Sequence, residues 1–170
     1  TTAINDSSNG LLAYQGLTMN AGLSGNLTLL ATSNISSGNY ATGMDLSAWR
    51  NNSGTTSTFQ TNNGNITIVG RSNGGSSGNL AIDSKNYSST IRTQVIATGT
   101  GTITLDGLAT RTSSSAMQLN AVDVLASSGD ISLKGGTSPI EFASYPDATN
   151  GVYIGKKAGS LVTTSSSNIE

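Results

Sequence analysis

The stretch Gly129–Gly135, "GDISLKG", decides the fold because it is not alone. "GNLTLLA" starts at Gly25, "GNITIVG" at Gly64 and "GTITLDG" at Gly101. Each copy spells Gly, small polar, Ile or Leu, Ser or Thr, Ile or Leu. In an extended strand this alternation puts Ile131 and Leu133 on one face and Ser132 on the other. Four copies describe either a strand that returns to one position of a stacked fold or a loop shaped for a ligand.

What lies between the copies favours the strand. They are 39, 37 and 28 residues apart. A second pattern, Gly or Ala followed by alternating apolar residues, reads "GLLAY" at Gly10, "GMDLS" at Gly43, "GNLAI" at Gly78, "AMQLN" at Ala116 and "GVYIG" at Gly151. A third, looser β-like stretch starts at Leu17, Ser57, Thr93 and Ala121, and "GSLVTT" continues the order from Gly159. Each unit of about 35 residues thus holds three short strands separated by polar turns, with no helical period. The connections are too short for crossover helices, so the spacing predicts one progressive coil, an all-β parallel β-helix of four to five turns. Leu27, Ile66, Ile103 and Ile131 then form one internal ladder, and Leu29, Ile68, Leu105 and Leu133 another. Thr28, Thr67, Thr104 and Ser132 form an outer polar row.

Composition agrees with such a coil and narrows the chemistry. Ser, Thr, Asn and Gly make up roughly half of the 170 residues. Gly and Asn suit tight corners. With 10% charged residues and a net charge of −1, the chain lacks an electrostatic grip on nucleic acid. There is no Cys and no His. That excludes disulfides, thiolate or imidazole metal sites and Ser–His catalysis. No apolar run reaches the roughly 18 residues of a membrane helix. We read residues 1–170 as a single segment that needs no cofactor or metal, with a loose tail over 163–170. The opening "TTAINDSSNG" reads as an internal cut from a longer rod.

Candidate sites are few. Asp45, Asp83, Asp106, Asp123 and Asp130 read as scattered carboxylates, with Asp130 replacing Asn26 and Asn65 at a turn. Trp49, the single Trp, lies beside Arg50, Asn51 and Asn52 between the second and third strands of its unit. It serves either as an exposed platform for a sugar or protein, or as a lid over the coil. The stretch from Gly135, "GGTSPIEFASYPDATN", reads as a protruding insert. It serves either as a second contact surface, through Phe142 and Tyr145, or as an Ω-like loop packed on itself. Six Asn-x-Ser/Thr sites are close to the number that chance provides in so hydroxyl-rich a chain.

The "GNITIVG"-type and "GVYIG"-type segments, in a Cys-free Ser/Thr/Asn/Gly-rich chain, resemble the repeat regions of filamentous haemagglutinin-like adhesins over about Gly10–Thr164. These are the large exoproteins of bacterial two-partner secretion. The resemblance implies a right-handed parallel β-helix, with three short strands per coil, inside a secreted, cell-surface rod used for attachment. Its partners would be the flanking coils of the parent chain, an outer-membrane secretion protein and a host glycan or surface protein, the segment itself being a monomer. It implies no reaction. Pro139 and Pro146 do not follow Asn, so the Asn-Pro motifs of that family's secretion domain are missing. The alternative class is a carbohydrate-active β-helix enzyme or a phage tail-fibre fragment that binds polysaccharide.

Overall fold

The computed structural model describes residues 8–12, 16–35, 41–47, 49–50, 53–74, 78–85, 91–111, 114–142, 153–156 and 162–166. Fifteen strands fall into three five-stranded parallel sheets. Sheet A stacks β1 (Ser8–Leu12), β4 (Ala41–Asp45), β9 (Leu80–Lys85), β12 (Ser115–Asn120) and β15 (Ile140–Phe142). Sheet B stacks β2 (Thr18–Asn20), β7 (Ser57–Thr61), β10 (Thr93–Ala97), β13 (Val122–Ala126) and β16 (Tyr153–Lys156). Sheet C stacks β3 (Leu27–Ile35), β8 (Ile66–Gly74), β11 (Ile103–Ala109), β14 (Ile131–Gly136) and β17 (Val162–Ser166). The chain visits A, B and C in turn and pairs each strand with its counterpart one coil earlier. The molecule is therefore a parallel β-helix of five coils. A separate antiparallel hairpin, β5 (Trp49–Arg50) with β6 (Ser53–Gly54), belongs to none of the three sheets.

Sheet C is the recurring motif, and every position of the motif has a physical cause. Leu27, Ile66, Ile103 and Ile131 are register partners, as are Leu29, Ile68, Leu105 and Leu133. From the second coil onward these aliphatics are completely buried. Thr28, Thr67, Thr104 and Ser132 form the outward row. The small polar residue acts at the corner before the strand. Asn26 Oδ1 accepts from Asn65 N at 2.8 Å, and Asn65 Oδ1 accepts from Thr102 N at 2.9 Å. Each side chain thus satisfies a turn N–H of the next coil.

Sheet B alternates in the same way. Phe59, Val95 and Val124 stack inward and Thr58, Gln94 and Asp123 outward. Sheet A adds Met44, Ile82, Met117 and Ile140 to the common core. Hydroxyl side chains are not confined to the outside. Thr93 Oγ1 donates to the Leu46 carbonyl at 2.6 Å, Thr61 Oγ1 to the Gly64 carbonyl at 2.6 Å and Ser72 Oγ to the Ala41 carbonyl at 2.8 Å, all buried. At corners, carbonyls lose their ladder partners, and small hydroxyls supply them without widening the coil.

The fifth coil corrects part of the sequence reading. "GVYIG" contributes β16 to sheet B, where Val124 pairs with Ile154; it is not the sheet A rung. That rung is β15, inside the stretch expected to protrude. Ile140 pairs with Met117 only 23 residues earlier and is fully buried. Phe142 therefore sits in a sheet strand opposite Leu119, not in a protruding insert. The rung lacks the motif's spelling because Pro139 precedes it where the other copies have Gly or Ala, and an unusually short path leads into it. At the C-terminus, β17 pairs Thr163 with Ser132, so strand order reaches into the 163–170 stretch expected to be loose.

Candidate functional site: the A-to-B corner

The three corners of the coil behave differently. Connections from B to C run over 21–26, 62–65, 98–102, 127–130 and 157–161, and those from C to A over 36–40, 75–79, 110–114 and 137–139. They are short and nearly constant. The A-to-B connections are not: 13–17, 46–56, 86–92, Ala121 alone, and 143–152. The irregular spacing of the sheet C motif follows, since it is shortest where the corner shrinks to Ala121. That residue takes φ of 50°. A one-residue reversal demands a left-handed backbone, which a non-glycine residue adopts only where the fold compels it.

The longest A-to-B connection carries Trp49 and Arg50. Both lie in β5, Trp49 opposite Gly54 and Arg50 opposite Ser53, with residues 51–52 joining the strands. A two-residue link is the commonest way to close such a hairpin. In coil five the A-to-B connection is 143–152. Tyr145, expected as a contact residue, lies outside the described residues. Trp49 and Phe142 do not share a site. They belong to coils two and five, three rungs and thus about 14 Å apart along the axis.

The carboxylates are better connected than their spacing suggested. Asp45 and Asp83 are register partners on adjacent coils of sheet A, on the face opposite Met44 and Ile82, and both are buried. Asp45 Oδ1 accepts from Ser47 N at 2.9 Å. Only the sheet A register reveals this pairing, because the two residues are far apart in sequence. Asp106 pairs with Arg71 at 2.8 Å and Asp123 with Arg92 at 2.7 Å, each pair bridging neighbouring coils. Arg92 also donates to the Val122 carbonyl at 3.2 Å, across the one-residue corner of coil four. Asp130 holds a turn, its carbonyl accepting from Ile103 N at 2.8 Å. Among the described residues no three acidic side chains gather to hold a metal ion.

These ion pairs clip coils together, and they are partly solvated. A double-mutant cycle with Arg92→Met and Asp123→Asn is expected to give a coupling of about 0.5–1.5 kcal/mol by chemical denaturation, as for a half-buried pair with two hydrogen bonds. Zero coupling would remove this pair from the list of inter-coil clips.

Compared with family models, curated proteins and solved structures, the chain matches none. Fold and corner define the class: a parallel β-solenoid with a regular core and one elaborated corner.

Proposed function

We propose that this chain is a non-catalytic, adhesive segment of a large secreted bacterial surface protein, whose rod presents corner loops to a host cell, a matrix or a neighbouring cell. The observation that carries this reading is the concentration of length variation at one corner. Two corners and three sheets keep the solenoid regular. The third accepts additions of quite different length, including a hairpin with the single Trp. A rod builds contact surface in this way, since loops at a corner cost the core nothing. The likeness of the repeats to filamentous haemagglutinin-like stalks supports the same reading, including export through an outer-membrane partner.

An enzymatic reading finds less support. Asp106 and Asp123 are engaged by arginines, and Asp45 and Asp83 are closed off from any substrate. A glycosidase needs two carboxyl groups facing one open cleft.

The test is attachment. The fragment, immobilised on beads, is presented to a glycan and matrix-protein array, beside Trp49→Ala and a variant with 49–54 replaced by a Gly-Ser link. Retention of a discrete set of ligands by the parent, with at least tenfold loss in both variants and unchanged melting, is expected. No retained ligand, or equal retention by all three, would overturn the role of the corner.

A further inference from the structure

The hairpin at the A-to-B corner of coil two stands on two buried feet. The outgoing foot is Leu46 and Ser47, 1% and 0% exposed. Leu46 N donates to the Asp83 carbonyl at 2.8 Å, and Ser47 N to Asp45 Oδ1 at 2.9 Å. The Leu46 carbonyl accepts from the Thr93 hydroxyl at 2.6 Å. The returning foot is Ser57, also fully buried, whose N–H donates to the Arg92 carbonyl at 3.2 Å. Asp83, Arg92 and Thr93 all belong to coil three.

Thr93 has a counterpart one coil earlier. It opens β10, and its register partners are Ser57 in β7 and Val122 in β13. Ser57 Oγ accepts from Leu17 N at 3.2 Å, and Leu17 ends the A-to-B connection of coil one. In two successive coils, therefore, the hydroxyl that opens the sheet B strand closes a backbone group of the connection one coil before. In coil four the position is Val122, which has no hydroxyl; there the Arg92 side chain reaches the Val122 carbonyl instead. Thr93 is itself oriented. Its oxygen accepts from Ser84 Oγ at 3.1 Å, with both residues fully buried, so its own proton is left for the Leu46 carbonyl.

We infer that the Ser or Thr opening a sheet B strand clamps the loop of the coil before it, and that Thr93 is in this way a positioning residue for the Trp49 hairpin. β5 and β6 belong to none of the three sheets, so the hairpin takes its direction from its feet. A hydroxyl fixed on the Leu46 carbonyl holds that peptide plane. A loop held in this way has less freedom to lose when it binds. The use of the clamp in attachment rests on the function proposed above; the clamp itself does not.

The single Trp reports on the hairpin without any ligand. In the parent, nitrogen relaxation of the Trp49, Arg50, Ser53 and Gly54 amides should give order parameters of about 0.8 or more, as in a rigid backbone. Thr93→Val keeps the volume and removes the hydroxyl. It is expected to raise the rapidly decaying share of Trp49 fluorescence anisotropy about twofold, and to speed hydrogen exchange of the same four amides about tenfold. Thr93→Ser, which keeps the hydroxyl, should match the parent in both. Ser72→Ala removes the same kind of bond, a buried hydroxyl on the Ala41 carbonyl, at the C-to-A corner. It should lower the melting temperature as Thr93→Val does, yet leave the motion of Trp49 unchanged. Unchanged motion in Thr93→Val, no recovery in Thr93→Ser or an equal gain in Ser72→Ala would each overturn the inference. So would parent order parameters below about 0.6, a result that needs no variant to fold. None of these readouts uses a ligand, so failure of the attachment reading on the array and failure of the clamp are separate results.

Discussion

Ile131→Asp is expected to lower the melting temperature by about 10 °C or more, while Ser132→Asp, its immediate neighbour, should change it by no more than a few degrees. Ile131 is completely buried between Ile103 and Val162 in the ladder of sheet C. Aspartate there loses the burial of the aliphatic side chain, about 2 kcal/mol or more, and places a carboxylate among stacked hydrocarbons. An uncompensated buried charge costs about 3–5 kcal/mol. For a chain of this size each kcal/mol is worth roughly 2–4 °C. Ser132 stands on the outward row between Thr104 and Thr163, partly solvated, where a charge costs under about 1 kcal/mol. Melting followed by far-ultraviolet circular dichroism checks the contrast. Because stability in a solenoid is summed from neighbouring coils, the Ile131 variant is also expected to lose coils four and five before the rest. Equal melting temperatures for the two variants would break the inward–outward assignment of the strand.

The same logic explains what could be read from the sequence. Ladders were legible because a rung needs the same residue class at the same place in every coil. The Ile/Leu positions of sheet C therefore repeat almost by letter, from Leu27 to Leu133. Sheet A was harder. Its fifth rung is three residues long and follows a proline, and the Gly-rich "GVYIG" offered a better letter match from another sheet. Spelling alone cannot say which sheet a short apolar pair joins; only the length of each connection can, and connection length was the variable at issue. Buried polar groups were also hidden. Thr61, Ser72 and Thr93 look like surface residues, yet they close corner carbonyls inside the coil.

The candidate sites divide along the same line. Trp49 stood out by its rarity, and its hairpin does occupy the corner where length varies. Asp45 and Asp83 left no trace in the letters, because they become neighbours only through strand register.

Gly101→Ala, finally, is expected to cost about 3 kcal/mol, lowering the melting temperature by roughly 6–12 °C. This accounts for the first letter of the recurring motif. Gly25, Gly64, Gly101 and Gly129 stand one above another at the B-to-C corner, and a Cβ on any of the last three would collide with a carbonyl oxygen of the glycine one coil earlier. The colliding atom is a backbone oxygen that already accepts from the Thr61 hydroxyl, so it cannot turn aside as a side chain would. Relief requires spreading coils two and three, which breaks the bond from Ile66 N to the Thr102 carbonyl. Gly22→Ala is the matched comparison. Gly22 has φ of 77° but no atom within 4 Å of the added methyl, so it bears only the left-handed backbone strain of about 1 kcal/mol. If the motif glycine were kept for turn conformation, Gly22→Ala would be the worse of the two. If it is kept for the close stacking of coils, Gly101→Ala is worse by about 2 kcal/mol, and denaturant midpoints of the two variants decide between these causes.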